Sequence, residues 1–168
     1  NVGISVSRVG GSAQIKAMRK VAGKLKLELA QYRDLEAFAQ FGSELDASTQ
    51  RTLARGARFV ATLNQPAYAP WPVEEQVAII AAANSGLLDG IDVEQVPEVN
   101  DAIRRDLREK APEVLAGIRD TRELSDEAQA RVEEIAKVVV NQFAPSVETP
   151  APAPEAEAED AEAATAAA

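Results

Sequence analysis

The chain has 168 residues, a length that suits one globular domain and leaves little room for a second. Its 46% hydrophobic and 27% charged residues are ordinary for a globular fold. Cysteine and histidine are absent from the sequence. This excludes disulfides, metal sites built on thiolate or imidazole, cysteine nucleophiles and every catalytic triad that uses histidine as its base. The net charge of −9 argues against non-specific binding to nucleic acid.

The charge is unevenly distributed along the chain. Residues 1–27 carry six bases and no acid, whereas residues 144–168 carry six acids and no base. The acidic segment is also rich in proline and alanine and contains little that could form a core. It is therefore predicted to be a disordered tail. No apolar run in the sequence is long enough to span a bilayer.

The first residues alternate apolar and small polar side chains, which predicts a short β-strand over residues 2–7. A single strand cannot satisfy its own backbone groups, and no second convincing strand follows. The partner strands must then lie outside this sequence, which indicates that the chain is a piece of a longer protein.

Helical periodicity dominates the rest of the sequence, which predicts an all-α bundle between the strand and the tail. A helical stretch is expected over residues 13–41, with a bend or split at Gly23. Later helices are predicted to begin near Asp46, Pro72, Pro97 and Ser125, and Gly86 is predicted to end one of them. Pro112 is expected to interrupt the helix that begins at Pro97, and a short turn is predicted to follow it. The predicted apolar stripes are Leu25, Leu29, Tyr32, Leu35 and Phe38; Leu53, Ala57, Val60 and Leu63; Val73, Val77, Ile80 and Ala81; Val99, Ile103 and Leu107; Val114, Leu115 and Ile118; and Val132, Ile135 and Val139.

No obvious cluster of reactive groups appears in this pattern. Acids mostly sit near bases at helical spacing, as in Asp101/Arg105 and Asp106/Lys110, which favours solvated helix faces over a paired-carboxylate site. The double glycine at residues 10–11 lacks the lysine and Ser/Thr of a phosphate-binding loop.

The basic run over residues 16–26 could meet phosphates. It contains no aromatic residue, and the rest of the body is acidic. A solvated or partner-facing helix surface is therefore the favoured interpretation.

Arg8 lies between the predicted strand and the double glycine. The strand would fix its backbone, and the glycines would let a ligand or another chain approach closely. A guanidinium is always charged and fork-shaped, which suits phosphate oxygens. Spacing alone nevertheless favours an ordinary strand-end arginine that pairs with a carboxylate, and leaves phosphate binding as the alternative.

Several segments share the pattern of one known family. They are NVGISVSRVGGSAQ at 1–14, KLKLELAQYR at 24–33, FAQFGSELD at 38–46, YAP at 68–70 and VEEQ at 73–76. Together they resemble the C-terminal portion of the α subunit of rotary F-type ATP synthases, over residues 1 to about 143. The β subunit of the same enzyme shares AQYR, but it carries a denser acidic motif where this chain reads SELDAS at 43–48. The sequence VSRVG at 6–10 is also α-like.

The resemblance implies a role for three residues. Arg8 matches the family's arginine finger, which reaches the terminal phosphates bound by a neighbouring β subunit. Ser5 matches a signature serine and is expected to support the conformation of that site. Gln65 matches a glutamine that lies against the base of the non-catalytic nucleotide. The family often has a second glutamine where this chain has Ala67, and Tyr68 is retained.

The resemblance also implies an organisation and partners. Residues 1–22 would be the end of an α/β nucleotide-binding domain, residues 23–143 the C-terminal helical bundle, and residues 144–168 a tail without a counterpart in the common pattern. The cofactors would be ATP or ADP with Mg²⁺, whose phosphate and metal ligands lie upstream of Asn1. The partners would be β subunits of the α3β3 ring, the central γ shaft near residues 42–46, and the peripheral δ/b stalk, with no nucleic acid and no direct membrane insertion.

The implied enzyme is a proton-transporting ATPase, in which this piece alone is inactive. The complex would be peripheral to a membrane and face the bacterial cytoplasm or the equivalent organelle compartment. The alternative is a stand-alone α-helical adaptor with an acidic binding tail. That alternative accounts for the bundle and the tail but leaves the orphan strand unexplained.

Overall fold

The computed structural model describes residues 10–39 and 45–143, and these segments fold into helices joined by loops, with no β-strand among them. The helices are α1 (Gly10–Ala13), α2 (Lys16–Ala39), α3 (Ala47–Leu63), α4 (Val73–Asn84), α5 (Val96–Lys110), α6 (Pro112–Thr121) and α7 (Asp126–Phe143), with a 3₁₀ turn at Val93–Gln95 before α5. Outside the described part lie the predicted strand at 2–7, residues 40–44, the Phe38 side chain and the tail at 144–168. The predicted all-α class is confirmed for the described segments.

The central helix of the bundle is α4, which packs against α2, α3, α5, α6 and α7. Residues 77–83 of this helix are all buried. The sequence predicted one apolar stripe on this helix, which included Val73 and left out Ile79. Both assignments were wrong, because Val73 is 38% exposed whereas Ile79 is 1% exposed. A helix that is apolar on all sides is buried on all sides, and α4 has no charged residue after its first turn.

The long helix α2 spans 24 residues and contains Gly23 without interruption. The stretch is therefore not split at Gly23, whereas the alternative of a bend there stays a prediction. Ala17, Val21, Leu25 and Leu29 are buried at four-residue spacing. They hold the helix against the bundle on both sides of the glycine, and this packing offsets the weak helix propensity of one residue.

The basic run on α2 lies on an exposed face of the helix, as the favoured interpretation of the sequence predicted. Three of its lysines, spaced four residues apart, lie along one side of the helix and contact other parts of the bundle. The contacts are Lys16 Nζ to Glu123 Oε1 at 2.6 Å, Lys20 Nζ to Asp126 Oδ1 at 2.9 Å, and Lys24 Nζ to the Asn84 carbonyl at 2.8 Å. These contacts join α2 to the end of α4 and to the connection between α6 and α7.

The most buried face of α3 is shifted from the predicted stripe, although Val60 and Leu63 of that stripe pack against the core. The four residues of the predicted stripe, Leu53, Ala57, Val60 and Leu63, are only partly buried. The buried residues are Gly56, Phe59, Ala61 and Thr62. Gly56 lies against the Tyr32 side chain of α2, so the close crossing of the two helices decides which face of α3 turns inward.

Several helix ends follow the predicted capping residues. Asp46 precedes α3 and accepts hydrogen bonds from the backbone N–H groups of Ser48 and Thr49 at 3.1 and 3.3 Å. Hydrogen bonds from Thr49 and Ser48 lower the pKa of Asp46 to about 2, so the cap is ionised at neutral pH. Gly86, with a φ of +86°, follows the end of α4, and Ser125 accepts the N–H three residues further on at 3.1 Å.

The short turn predicted after Pro112 was wrong, because this segment forms the ten-residue helix α6. The three C-terminal helices nevertheless bury the apolar residues that the sequence singled out. All nine are buried: Val99, Ile103, Leu107, Val114, Leu115, Ile118, Val132, Ile135 and Val139. None of the helices in the described segments is both long and apolar enough to span a membrane.

The crossing of α2 and α3 yields a stability test. A Cβ added at Gly56 would overlap the Cβ and Cγ atoms of Tyr32, which cannot swing away as the end of a flexible chain could. We expect Gly56→Ala to lower the free energy of unfolding by about 1–3 kcal/mol. The matched control is Gly23→Ala, where nothing lies within 4 Å and alanine should raise stability by about 0.5–1 kcal/mol. Chemical denaturation measures both, and equal effects of the two variants would contradict the close crossing.

Candidate functional site

The three predicted site residues fall into two groups. Arg8 and Ser5 lie outside the described residues, so their roles stay predictions. Gln65 is described, and it lies in the loop between α3 and α4. The geometry of a candidate site is therefore built on this loop, which we define as the 65–72 loop.

The 65–72 loop holds one residue in an unusual conformation. Tyr68 has a positive φ of 64°, and its side chain is fully exposed. A turn closes next to it, where the Ala69 N–H donates to the Pro66 carbonyl at 3.3 Å. A positive φ is uncommon for a bulky residue and persists only where the surroundings hold it. The loop therefore presents an aromatic ring to its surroundings from a constrained backbone.

Trp71 fastens this loop to the bundle. Its backbone N–H donates to Gln65 Oε1 at 2.9 Å, and its carbonyl accepts from Gln76 Nε2 at 2.7 Å. The indole itself is buried, with 8% of the residue exposed. Two glutamine side chains thus hold both backbone groups of one residue, and one of these glutamines is the predicted site residue.

A buried ion cluster lies next to Trp71. Glu75 on α4 is only 4% exposed and accepts hydrogen bonds from two arginines of α5. Arg104 Nε donates at 2.7 Å, and Arg108 donates through Nε and Nη2 at 2.7 and 2.8 Å. The Arg104 guanidinium also lies over the Trp71 ring, 4.2 Å from its centroid. We call Trp71, Glu75, Arg104 and Arg108 the Trp71 anchor.

The charge state of Glu75 follows from two opposing effects. Burial raises the pKa of this carboxyl group, while the hydrogen bonds from Arg108 and Arg104 lower it. The arginines prevail, and the pKa of Glu75 lies below its ordinary value of 4.5. Glu75 is therefore ionised at neutral pH, and the bidentate arginine contact is of the strong, charge-assisted kind.

The Trp71 anchor was missed by reasoning from the sequence. Two signals could have found it. Glu75 lies in the first turn of a helix whose later residues are all uncharged and mostly buried, so an acid on that helix needs a buried partner. Arg104 and Arg108 are spaced by four residues and therefore share one face of α5.

Arg104 also corrects a predicted surface pair. Asp101 was expected to pair with Arg105, but it accepts from Arg104 at 2.7 Å instead. Positions three apart share a helix face as positions four apart do, and Arg104 is already held near by the buried carboxylate. The other predicted pair, Asp106 with Lys110, is confirmed at 2.6 Å.

A cleft of about 450 Å³ lies between α2, α3 and the turn after α4, away from the 65–72 loop. Its three arginines are Arg51, Arg55 and Arg58. Arg55 lies near Glu28 at 3.8 Å and Asp89 at 3.4 Å. Arg58 donates to the Ile91 carbonyl at 2.6 Å. Carboxylate and carbonyl oxygens of the same chain already contact these guanidinium groups. The arginines of this cleft therefore connect elements of the bundle.

The groups on the 65–72 loop are suited to binding a ligand. The loop presents a carboxamide, a phenol and backbone groups on a rigid support. Within residues 10–39 and 45–143, no three acidic side chains lie close enough together to hold a metal ion.

Residues 14–139 match the family model described as "ATP synthase alpha/beta chain, C terminal domain". This match covers most of the chain, and the chain therefore belongs to that family. It is 54% identical over 141 residues to "ATP synthase subunit alpha" of Mycobacterium avium (strain 104), and equally to that of Mycolicibacterium paratuberculosis (strain ATCC BAA-968 / K-10). Each comparison covers 84% of this chain and 25% of the relative. The chain thus spans about a quarter of the length of these curated relatives, and the resemblance to the C-terminal portion of the α subunit is confirmed.

The Trp71 anchor predicts a pH-dependent loss of stability. We expect Glu75→Gln to lower the free energy of unfolding at pH 7 by about 2 kcal/mol, because charge-assisted hydrogen bonds to two arginines are lost. The folded-state pKa of Glu75 is depressed, so the contribution is fully present above the ordinary carboxyl range and is lost as the pH falls through the lowered pKa. Wild type and variant should therefore converge in acid.

Urea denaturation at several pH values measures this difference. The control is Glu134→Gln, which removes an exposed i,i+3 partner of Arg131 and should change stability by less than about 0.5 kcal/mol. A constant gap between wild type and Glu75→Gln from neutral to acid pH would show that the carboxylate charge does not hold the anchor.

Proposed function

We propose that this chain is the C-terminal portion of the α subunit of a proton-translocating ATP synthase, and that it acts in trans on the catalytic site of a neighbouring β subunit. The identity of 54% to α subunits over 141 residues supports the first part. The second part rests on Arg8, in the segment that resembles the family's arginine finger. Residues 1–22 would then be the end of the nucleotide-binding domain.

The physical case for Arg8 is electrostatic. Charge is spread over the phosphoryl oxygens in the transition state of ATP synthesis or hydrolysis, and a fixed guanidinium fork meets these oxygens without reorganisation. In this proposal Ser5 supports the backbone near the site and does not react itself.

Among the described residues, helix α2 begins eight residues after Arg8, and its Ala17 N–H donates to the Arg122 carbonyl at 2.9 Å. The Lys16 and Lys20 contacts lie beside it. A bundle that holds α2 in this way would keep the preceding segment in register with the neighbouring subunit.

ATP or ADP with Mg²⁺ is the proposed ligand of the complete subunit. In the family resemblance, the groups that bind phosphate and Mg²⁺ lie upstream of Asn1, and Gln65 meets the nucleotide base. The described loop fits an uncharged base edge, because the Gln65 side chain is exposed and its Nε2 meets no acceptor among residues 10–39 and 45–143. When bound, the nucleotide would supply the phosphoanhydride chemistry, and this chain's loop would orient its base.

The proposed partners follow from the same assembly. They are the β subunits of the α3β3 ring, the γ shaft near residues 42–46, and the peripheral δ/b stalk through the complete chain. The complex would be peripheral to a membrane and face the cytoplasm in a bacterium. The adaptor alternative is disfavoured, since it predicts no such extended identity to an ATP synthase subunit. A pull-down of the complete chain that captures β and γ subunits supports the assembly, and their absence would contradict it.

The arginine finger is tested by Arg8→Lys in the assembled complex. Lysine keeps the charge but loses the planar fork. We expect the complex to assemble and its ATP hydrolysis to fall at least about tenfold, out of the roughly 10³–10⁵ that such fingers contribute.

The control for this experiment is Arg19→Lys, an exposed position on α2, which should leave the rate unchanged. Steady-state ATPase assays of both variants give the comparison. Near-normal turnover in Arg8→Lys would refute the assigned role.

A further inference from the structure

We propose that the groove between α6 and the start of α7 is a docking surface for a basic segment of another subunit. In this contact an apolar side chain enters the groove, and lysine or arginine residues lie on both sides of it. The inference rests on the proposed function, because it takes the chain as part of a complex of several subunits. Residues between 113 and 128 line this surface, which we call the α6–α7 groove.

The size and lining of the α6–α7 groove suit side chains of another polypeptide. Its volume is about 470 Å³, within the range of about 300–1,000 Å³ that is typical of ligand pockets. The apolar part of the lining comes from Val114, Ile118 and Leu124, which belong to the core of the bundle, and from Ala128, which packs against that core. An apolar side chain in the groove would therefore extend the core outwards.

Gly117 gives the groove its depth. This glycine is exposed in the middle of α6, and a Cβ built on it would meet nothing within 4 Å. Alanine is the better helix former, so packing among the described residues does not account for a glycine here. A helix without a side chain at one position lets another chain approach its backbone closely.

The charged side chains that line the groove in the described structure are all acidic. They are Glu113, Glu123 and Glu127. Glu123 pairs with Lys16 of α2 at 2.6 Å. The other two glutamates have no side-chain hydrogen bond or ion pair within residues 10–39 and 45–143. Complementary charge favours a basic occupant and repels an acidic one.

Two of these glutamates also serve the helices on which they lie. Glu113 and Glu127 are in the first turns of α6 and α7, where a negative charge stabilises the helix. That role does not require them to border the same apolar groove. Glu94 and Glu98 are exposed acids near the start of α5 and lie outside the groove, so they provide a matched control.

The charge of the occupant points to another polypeptide. The segment at residues 144–168 carries six acids and no base, so its charge has the wrong sign for this groove. Residues 1–9 carry a single base, Arg8, which could neutralise only one of the two glutamates that lack a partner. A segment with basic residues on both sides of an apolar one satisfies both glutamates and fills the space at Gly117.

The test uses the complete subunit in the assembled complex. Gly117→Cys introduces the only cysteine of these 168 residues, and a benzophenone maleimide attached to it labels whatever occupies the groove when the complex is irradiated. We expect an adduct with another subunit, at a stretch that carries lysine or arginine on both sides of the modified residue. Mass spectrometry identifies the stretch, and the wild-type complex treated in the same way is the blank.

A second arm tests the charges. Glu113→Lys and Glu127→Lys are added together to Gly117→Cys, and we expect the adduct yield to fall at least about fivefold because like charges then face each other. The control adds Glu94→Lys and Glu98→Lys instead, which make the same change of charge outside the groove and should leave the yield within about twofold. Thermal unfolding checks that every variant retains the fold.

The outcomes separate this proposal from the one on which it rests. An assembled complex that gives no adduct with another subunit, or an adduct at an acidic stretch, would overturn the docking surface. A link from Gly117→Cys to residues 1–9 or 144–168 of the same chain would overturn it as well, and so would an equal loss of yield with both pairs of lysines. The proposed function fails by a different result, in which no complex with β subunits forms.

Discussion

The ion cluster at Glu75 is the interaction on which the candidate site depends. A carboxylate that is 4% exposed on the central helix of the bundle is costly to bury unless several donors meet it. The two arginines of α5 supply three hydrogen bonds, which tie α4 to α5. One of the same arginines covers the Trp71 ring, so a charge buried in the core also fixes the loop that carries Gln65.

This arrangement links the conformation of the 65–72 loop to the packing of the bundle. The loop is short and rich in proline, and its conformation is held at one end by α3 and at the other by Trp71 and the first turn of α4. Tyr68 keeps its positive φ on this rigid support. The loop is therefore held in one conformation by contacts within the chain itself.

Charged side chains on the surface of the bundle help to position α2. The lysines of α2 meet the end of α4 and the connection between α6 and α7, and each exposed contact is worth little alone. Together they set the position of α2 beside the more extensive apolar contacts of Leu25 and Leu29. In the proposed function this placement matters, because Arg8 lies on the segment that leads into α2.

The sequence by itself determined the helical class, most helix boundaries and the inner faces of α5 and α7, because caps and periodicity are local signals. It also determined the family, through the segments around Arg8 and Gln65. Tertiary structure alone decided the rest. The inner face of α3 depends on how closely Gly56 approaches Tyr32, and Gly23 stays helical because residues on both sides are packed. The Trp71 anchor joins residues about thirty positions apart, a separation across which local periodicity carries no information.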